Sequence, residues 1–235
     1  MEDLDDDLLV VRGPGVNVHV LRDGDGLCLV DTGFVAGCWL LRRALRRRGW
    51  DQLPVRGIVL THGHLDHVLN VARLARETGA WVAAPPLDAA HCQGRQRYHG
   101  AARVCGWLEA AGRWLFRFEP FTPDRWLEDG DELPWWGGLR VVHLPGHTAG
   151  HSGLLCPRRK LLFCGDLFAS YGPWPHLPPR ILNSDPGLIP GSVARALALD
   201  IDGVAPNHGD AAGFEIHLRR LRNLALRKGW VDGGR

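Results

Sequence analysis

The segment LTHGHLDHV, residues 60–68, restricts the chain more than any other: His62, His64, Asp66 and His67 fall within six positions. Imidazole is the commonest metal-binding side chain, and a continuous helix would spread these four groups over different faces. On extended backbone after a strand, His62 and His64 point the same way, while Asp66 and His67 turn into a following helix and face a second position nearby. The segment therefore has to be a loop at a strand end. An H-x-H-x-D-H pattern carries far more information than a lone histidine, and it points to a metal centre.

The flanking sequence supplies the strand and the helices. Residues 8–31 alternate apolar runs with turn signals at Gly13, Pro14 and Gly15 and again at Asp23 to Gly26, which predicts antiparallel strands. A helix is expected over 36–48, a buried strand over 55–61 that delivers the histidine loop, a helix over 68–79 and a short strand over 80–85. Residues 87–118 read as a helical insertion. RWLEDGDEL (125–133) carries strand signals about a turn at Asp129 to Asp131. LRVVHLPG (139–146) is a strand emptying into a second histidine-bearing loop, and GLLCPRRKLLFCGD (153–166) is a hairpin about Pro157 to Lys160. A proline-rich loop (171–190), a helix over 192–199, a strand over 201–205 and an amphipathic helix, FEIHLRRLRNLALRKG, complete the chain. Strands that run into ligand-type loops and then helices form the α/β pattern in which function gathers at the carboxyl ends of strands.

Composition removes several alternatives. With 235 residues, 45% hydrophobic and 23% charged, the chain can bury a core without disulfides and is neither disordered nor fibrous. We read residues 1–235 as one domain. The basic run LRRALRRRGW keeps apolar residues at helical spacing, and a net charge of +2 makes nucleic acid an unlikely partner. The start, MEDLDDDLLVV, is acidic where a secretory leader is basic, and no run is long enough to span a bilayer. Six cysteines without a C-x-x-C pair fit reduced, packed thiols. The expectation is a cytoplasmic protein acting on a small molecule, away from membranes, with a homo-oligomer left open.

These motifs resemble, in order, those of the metallo-β-lactamase-fold hydrolase superfamily, in its hydroxyacylglutathione hydrolase-like or lactonase-like branch. VDTG with Asp31 is similar to the family's first strand end, and H-x-H-x-D-H follows. LPGHTAGHS supplies His147, LFCGDLF supplies Asp166, and PNHGD supplies His208. The resemblance spans almost the whole chain. It implies an α+β, four-layer αββα sandwich with the helical insertion at about 87–118 and two divalent metal ions at one edge, zinc first, with iron or manganese also compatible. By the same resemblance His62, His64 and His147 hold one metal, Asp66, His67 and His208 the other, and Asp166 bridges them.

The chemistry so implied is hydrolysis by a metal-bridging hydroxide of a small thioester, ester or lactone, with Asp66 ligating and steering the nucleophile and no separate general acid named. Retention of Asp166 argues against antibiotic hydrolysis, since many β-lactamases of the superfamily carry cysteine or serine at that position. Glutathione hydrolases grip their substrate with a basic C-terminal region, whereas Arg219, Arg220, Arg222, Arg227 and Lys228 here read as a solvated helix face. The alternatives are a mononuclear iron persulfide dioxygenase using His62, His147 and Asp166, a phosphodiesterase or nuclease, a weak β-lactamase, or a binding domain that retains the fold. Asp31 is expected to orient a ligand from outside the metal shell, and His151 to pack or support it. His143 is structural. Tyr171, His176 and Trp174 lie close enough after Asp166 to line the cleft, and His91, Tyr98 and His99 sit in an insertion that could cover it. Cys164, two residues before Asp166, is placed on the same strand face but read as packing.

Overall fold

A computed structural model describes residues 6–232, so most of the acidic N-terminal stretch lies outside the described residues. The first half contains β1 (Leu8–Arg12), β2 (Asn17–Asp23), β3 (Gly26–Val30), α1 (Gly37–Arg48), β4 (Val55–Val59), α2 (Leu65–Val68), α3 (Val71–Thr78) and β5 (Trp81–Ala84). Next come α4 (Ala89–Cys92), α5 (Arg103–Leu115), β6 (Arg125–Trp126), β7 (Glu132–Leu133), β8 (Leu139–His143), β9 (Ser152–Cys156), β10 (Leu161–Gly165), α6 (Ile189–Leu197), β11 (Gly203–Pro206) and α7 (Phe214–Lys228).

Two sheets form. The first runs β1-β2-β3-β4-β5-β6, antiparallel for its first two pairings and parallel after them. The second runs β11-β10-β9-β8-β7, with β10 and β11 parallel and the remaining pairs antiparallel. Strand alternation divides the apolar residues between layers. In β3, Leu27 and Leu29 face outward to Leu41 and Leu45 of α1 and Leu74 of α3, while Cys28 and Val30 face the central layer. In β10, Phe163 enters the same central layer beside Val141 and Leu154, and Leu162 turns out towards Val193 of α6 and Leu221 of α7. Helix, sheet, sheet, helix is the four-layer αββα sandwich anticipated from the motifs.

Several local expectations shift. The strand signals of 125–133 fall in different sheets: β6 pairs with β5 and β7 with β8, so the chain crosses from one sheet to the other, burying Leu127 and Leu133 between them. The helix expected over 68–79 is split into α2 and α3 at Asn70, whose amide Nδ2 donates to the carbonyls of Thr32, Gly33 and Phe34. The helical insertion is two α-helices, α4 and α5, separated by residues 93–102, which contain Gly94 at φ 66° and end in a 3-10 turn at Gly100–Ala102. α6 begins at Ile189, three residues earlier than its apolar spacing suggested, because Pro190 is compatible with a first helical turn. All six cysteines are free and buried.

Cys164 requires a correction. It does not share a face with Asp166: it packs outward against Val193 and Leu221, while Asp166 faces the site. Gly165 lies between them at φ 54° and breaks the alternation. A Cβ there would meet His151 Nε2 at 2.6 Å, so both conformation and space call for glycine.

Candidate metal centre

Five strands deliver the site. β3 and β4 are parallel, β10 and β11 are parallel, and β8 lies two antiparallel pairings from β10, so within each sheet these strands end at the same edge. Asp31, His62, His147, Asp166 and His208 follow those ends within four residues. At that edge the sheets are tied together, Ser152 N donating to the Thr61 carbonyl at 2.9 Å and Asn17 N to that of Asn207 at 2.7 Å.

All seven residues of the expected ligand set meet there. His62, His64 and His147 each place a ring nitrogen within 4.8 Å of the others, as do the ligand atoms of Asp66, His67 and His208. Asp166 lies between the groups: Oδ2 is 3.3 Å from His147 Nε2 and 3.0 Å from His208 Nε2, and Oδ1 is 3.3 Å from His67 Nε2. His62 Nε2, His67 Nε2 and Asp166 Oδ1 are buried without a hydrogen-bond partner. A protein rarely leaves such atoms unpaired, so their convergence fits divalent cations.

An outer layer sets the ring orientations. Asp31, fully buried at φ 61°, accepts from Thr61 N (2.8 Å), Thr61 Oγ1 (2.7 Å), His67 Nδ1 (3.0 Å) and Asn207 Nδ2 (2.9 Å). It is no simple turn carboxylate. With its proton given to Asp31, the Thr61 hydroxyl accepts from His62 Nδ1 at 3.0 Å. His147 Nδ1 donates to Asn183 Oδ1 at 2.8 Å and His208 Nδ1 to the Gly15 carbonyl at 2.5 Å. These bonds leave four Nε2 atoms directed into the site. His151 supports Asp166 from behind: its Nδ1 donates to the Leu144 carbonyl and its Nε2 accepts from Asp166 N at 3.0 Å.

The two groups differ electrically. Burial drives His62 and His64 well below the ordinary histidine range. Burial acts the same way on His67 and His208, but Asp166 and Asp66 outweigh it, lifting His67 well above that range and His208 to about 12. Burial opposes the charge on Asp166, yet His208 and His67 hold its carboxyl well below the usual carboxylate value.

Beside the candidate metal residues lies a cleft of about 450 Å3, lined in part by His64, Asp66, Tyr171 and His176. Trp174 does not line it and is three-quarters exposed. His91 and Tyr98 do not line it either. His91 packs against His64, and Tyr98 donates to Glu109 at 2.7 Å; His99 is exposed. His143 is tied to the Ala149 carbonyl. On α7, Arg220 is not solvated but bonded to both carboxylate oxygens of Asp210.

Three site residues were not foreseen. Asp88 accepts from Gly63 N (2.8 Å), Thr148 Oγ1 (2.7 Å) and Gly150 N (2.8 Å), fastening the first histidine loop to the second. Glu109 of α5 accepts from Leu65 N at 3.0 Å, at the start of the helix that carries Asp66 and His67. Asn183 joins His147 to the Pro178 and Pro179 carbonyls. The site partners of these three residues, Gly63, Leu65 and His147, lie 25, 44 and 36 residues away, and no local spacing announces them.

The sequence pattern of the Metallo-beta-lactamase superfamily matches residues 11–214. The hydroxyacylglutathione hydrolase of Aeromonas hydrophila is 32% identical over 198 residues, covering 82% of this chain and 61% of the relative. Hydroxyacylglutathione hydrolase GloC of Haemophilus influenzae is 28% identical over 158 residues, covering 64% of this chain and 65% of the relative. The chain thus spans less than two thirds of the length of either. Among solved structures, a metallo-beta-lactamase family protein from Thermus thermophilus superposes with a TM-score of 0.72 at 24% identity, covering 94% of this chain and 78% of the other. TTHA1623, solved in a di-iron-bound form, gives 0.66 at 29% identity over 90% of this chain and 96% of its own. The converging strand ends, the order of the motifs and these likenesses agree, and the chain belongs to the metallo-beta-lactamase superfamily.

Proposed function

We propose that the chain is a binuclear, metal-dependent hydrolase that cleaves a small thioester, ester or lactone. The observation that carries this reading is the Asp166 carboxylate, within 3.3 Å of His147, His67 and His208 and so in reach of both side-chain groups. His62, His64 and His147 would hold one cation, Asp66, His67 and His208 the other, and Asp166 both. Nitrogen and oxygen donors without thiolate suit zinc, our first choice, and also iron or manganese. Likeness to a di-iron-bound relative keeps iron in view.

When bound, such a pair supplies a water of lowered pKa and positive charge for the oxyanion that develops on the acyl oxygen. The chain's own side chains do the rest. Asp66 is about one-third exposed, at the boundary between cluster and cleft, where its carboxylate can accept a hydrogen bond from the attacking water. Asp31, Thr61 and Asn183 keep the imidazoles aimed, and Asp88 holds the two histidine loops in register. The water oxygen bonds to the acyl carbon, and the C–O or C–S bond breaks with its electron pair on the leaving atom, which takes a proton. No redox partner is involved.

Elemental mass spectrometry on protein purified without added metal or chelator, followed by assays on thioesters, esters, lactones, phosphodiesters and a chromogenic β-lactam, tests the reading. Two metals per chain with acyl hydrolysis are expected. One iron per chain with oxygen uptake on persulfides would replace the hydrolase by the dioxygenase.

A further inference from the structure

The walls of the cleft are more specific than its metal side. α5 and the residue after it turn one face to it, Cys105, Leu108, Gly112 and Phe116 at spacings of three and four residues, with Glu109 among them. The helix lies so close to the histidine loop that a Cβ on Gly112 would meet Leu65 Cδ2 at 2.8 Å. Phe116 meets Phe34 edge to face at 5.0 Å. Pro178, Pro179 and Leu182 of the proline-rich loop complete the lining opposite.

The charged groups of that lining are Asp66, Asp166 and His208 on the metal side and Glu109, whose carboxylate is engaged by Leu65 N, Tyr98 and Arg113. Among the described residues no Lys or Arg lines the cleft. Arg113 turns inward to Glu109, Arg220 is engaged by Asp210, and Arg227 and Lys228 line a separate depression that shares only the proline-rich loop. A glutathione conjugate carries two carboxylates and an ammonium group at neutral pH, and charges brought against apolar walls need partners. An alkyl chain needs none.

We propose that the cleft between α5 and the proline-rich loop receives an uncharged, apolar acyl chain, so that the bond presented to the metal side belongs to an ester, lactone or thioester of that chain rather than to a glutathione conjugate. This rests on the hydrolase reading above and narrows it. Leu108 is the specificity-determining side chain: it lines the cleft yet remains 63% exposed at its lip, where an incoming chain would cover it.

The test measures kcat/KM on the metal-loaded protein for p-nitrophenyl esters from acetyl to decanoyl and for S-lactoylglutathione. In parallel, calorimetry measures the binding of decanamide, an uncharged amide with the same chain, and of reduced glutathione. We expect kcat/KM to rise roughly fourfold per methylene until the cleft is filled, with decanamide bound and glutathione not. Leu108→Arg, at a position exposed enough to tolerate charge, should flatten the chain-length dependence and weaken decanamide binding, whereas Leu108→Met should restore both. Preference for S-lactoylglutathione, or no decanamide binding, would overturn the proposal and leave the hydrolase reading standing. Decanamide binding with no hydrolysis of any acyl compound would overturn the hydrolase reading and leave the assignment of the cleft in place.

Discussion

The two groups of ligand-type residues sit a few ångströms apart and share Asp166, yet they are built on opposite electrostatic terms. His62 and His64 are buried imidazoles kept neutral by desolvation, and their group contains no carboxylate of its own. The second group contains Asp66 and reaches solvent through Asp66 and His208, and its acids hold His67 and His208 charged when no cation is bound. One group is ready to receive a cation, whereas the other must first release protons. The pair is therefore chemically asymmetric even though each offers three side chains.

The sharpest way to break that comparison is to remove what the groups share. Asp166→Ala should cost both metals and lower kcat by about four orders of magnitude, with the fold retained by circular dichroism; metal content per chain is the check. Next in size is Asp88→Ala, which strips the carboxylate that bonds both histidine loops and leaves the Gly63 and Gly150 amides unpaired. We expect a loss of about 3 kcal/mol, or about 6–12 °C in Tm, and no preference between the two metals.

Smaller effects should separate the groups. Asn183→Ala removes the acceptor of His147 and should lower metal affinity about 10- to 100-fold in the first group only, whereas Asp31→Asn weakens the support of His67 directly and of His62 through Thr61, and should weaken the second group more than the first. Stepwise cobalt titration followed by absorbance distinguishes them, and equal weakening of both metals by either variant would remove the asymmetry. The gentlest probe is pH. The acids around His67 and His208 raise their pKa values, so a cation entering the metal-free protein competes there with protons. Affinity of the second group should therefore fall about tenfold per proton for each unit of pH decrease. His62 and His64, already neutral, carry no such penalty. Equilibrium dialysis from pH 8 to pH 5.5 should show the second metal leaving first.

The residues proposed to hold metal were easier to read in the sequence than the scaffold that aims them. His62, His64, Asp66 and His67 are consecutive enough to form a pattern, and His147, Asp166 and His208 follow strand signals in the expected order. Asp88 and Asn183 could not be found that way, because a carboxylate bonded 25 and 60 residues away, or an amide bonded 36 residues away, leaves no local period. The Cys164 face was misjudged for a related reason: strict alternation assumes ordinary strand dihedrals, and Gly165 departs from them at the last residue of β10. Arg220 looked like one more charge on a basic helix until tertiary contact brought Asp210 against it. The strand signals on either side of the Asp129 to Asp131 turn could not tell which sheet each flank joins, because a turn signal is local and the pairing of β6 with β5 and of β7 with β8 is not.

Because the strands that carry the candidate metal residues finish at one edge of the sandwich, the turn that joins β2 to β3 and the one that joins β9 to β10 lie at the other. Gly24 and Asp25 in the first of these are exposed. That far rim is the natural place to open, label or lengthen this polypeptide, since loop tips of this kind tolerate insertion. An affinity tag or fluorophore spliced between Gly24 and Asp25 is separated from the chemistry by the full length of the strands, so the molecule comes with a handle at the end opposite its working parts.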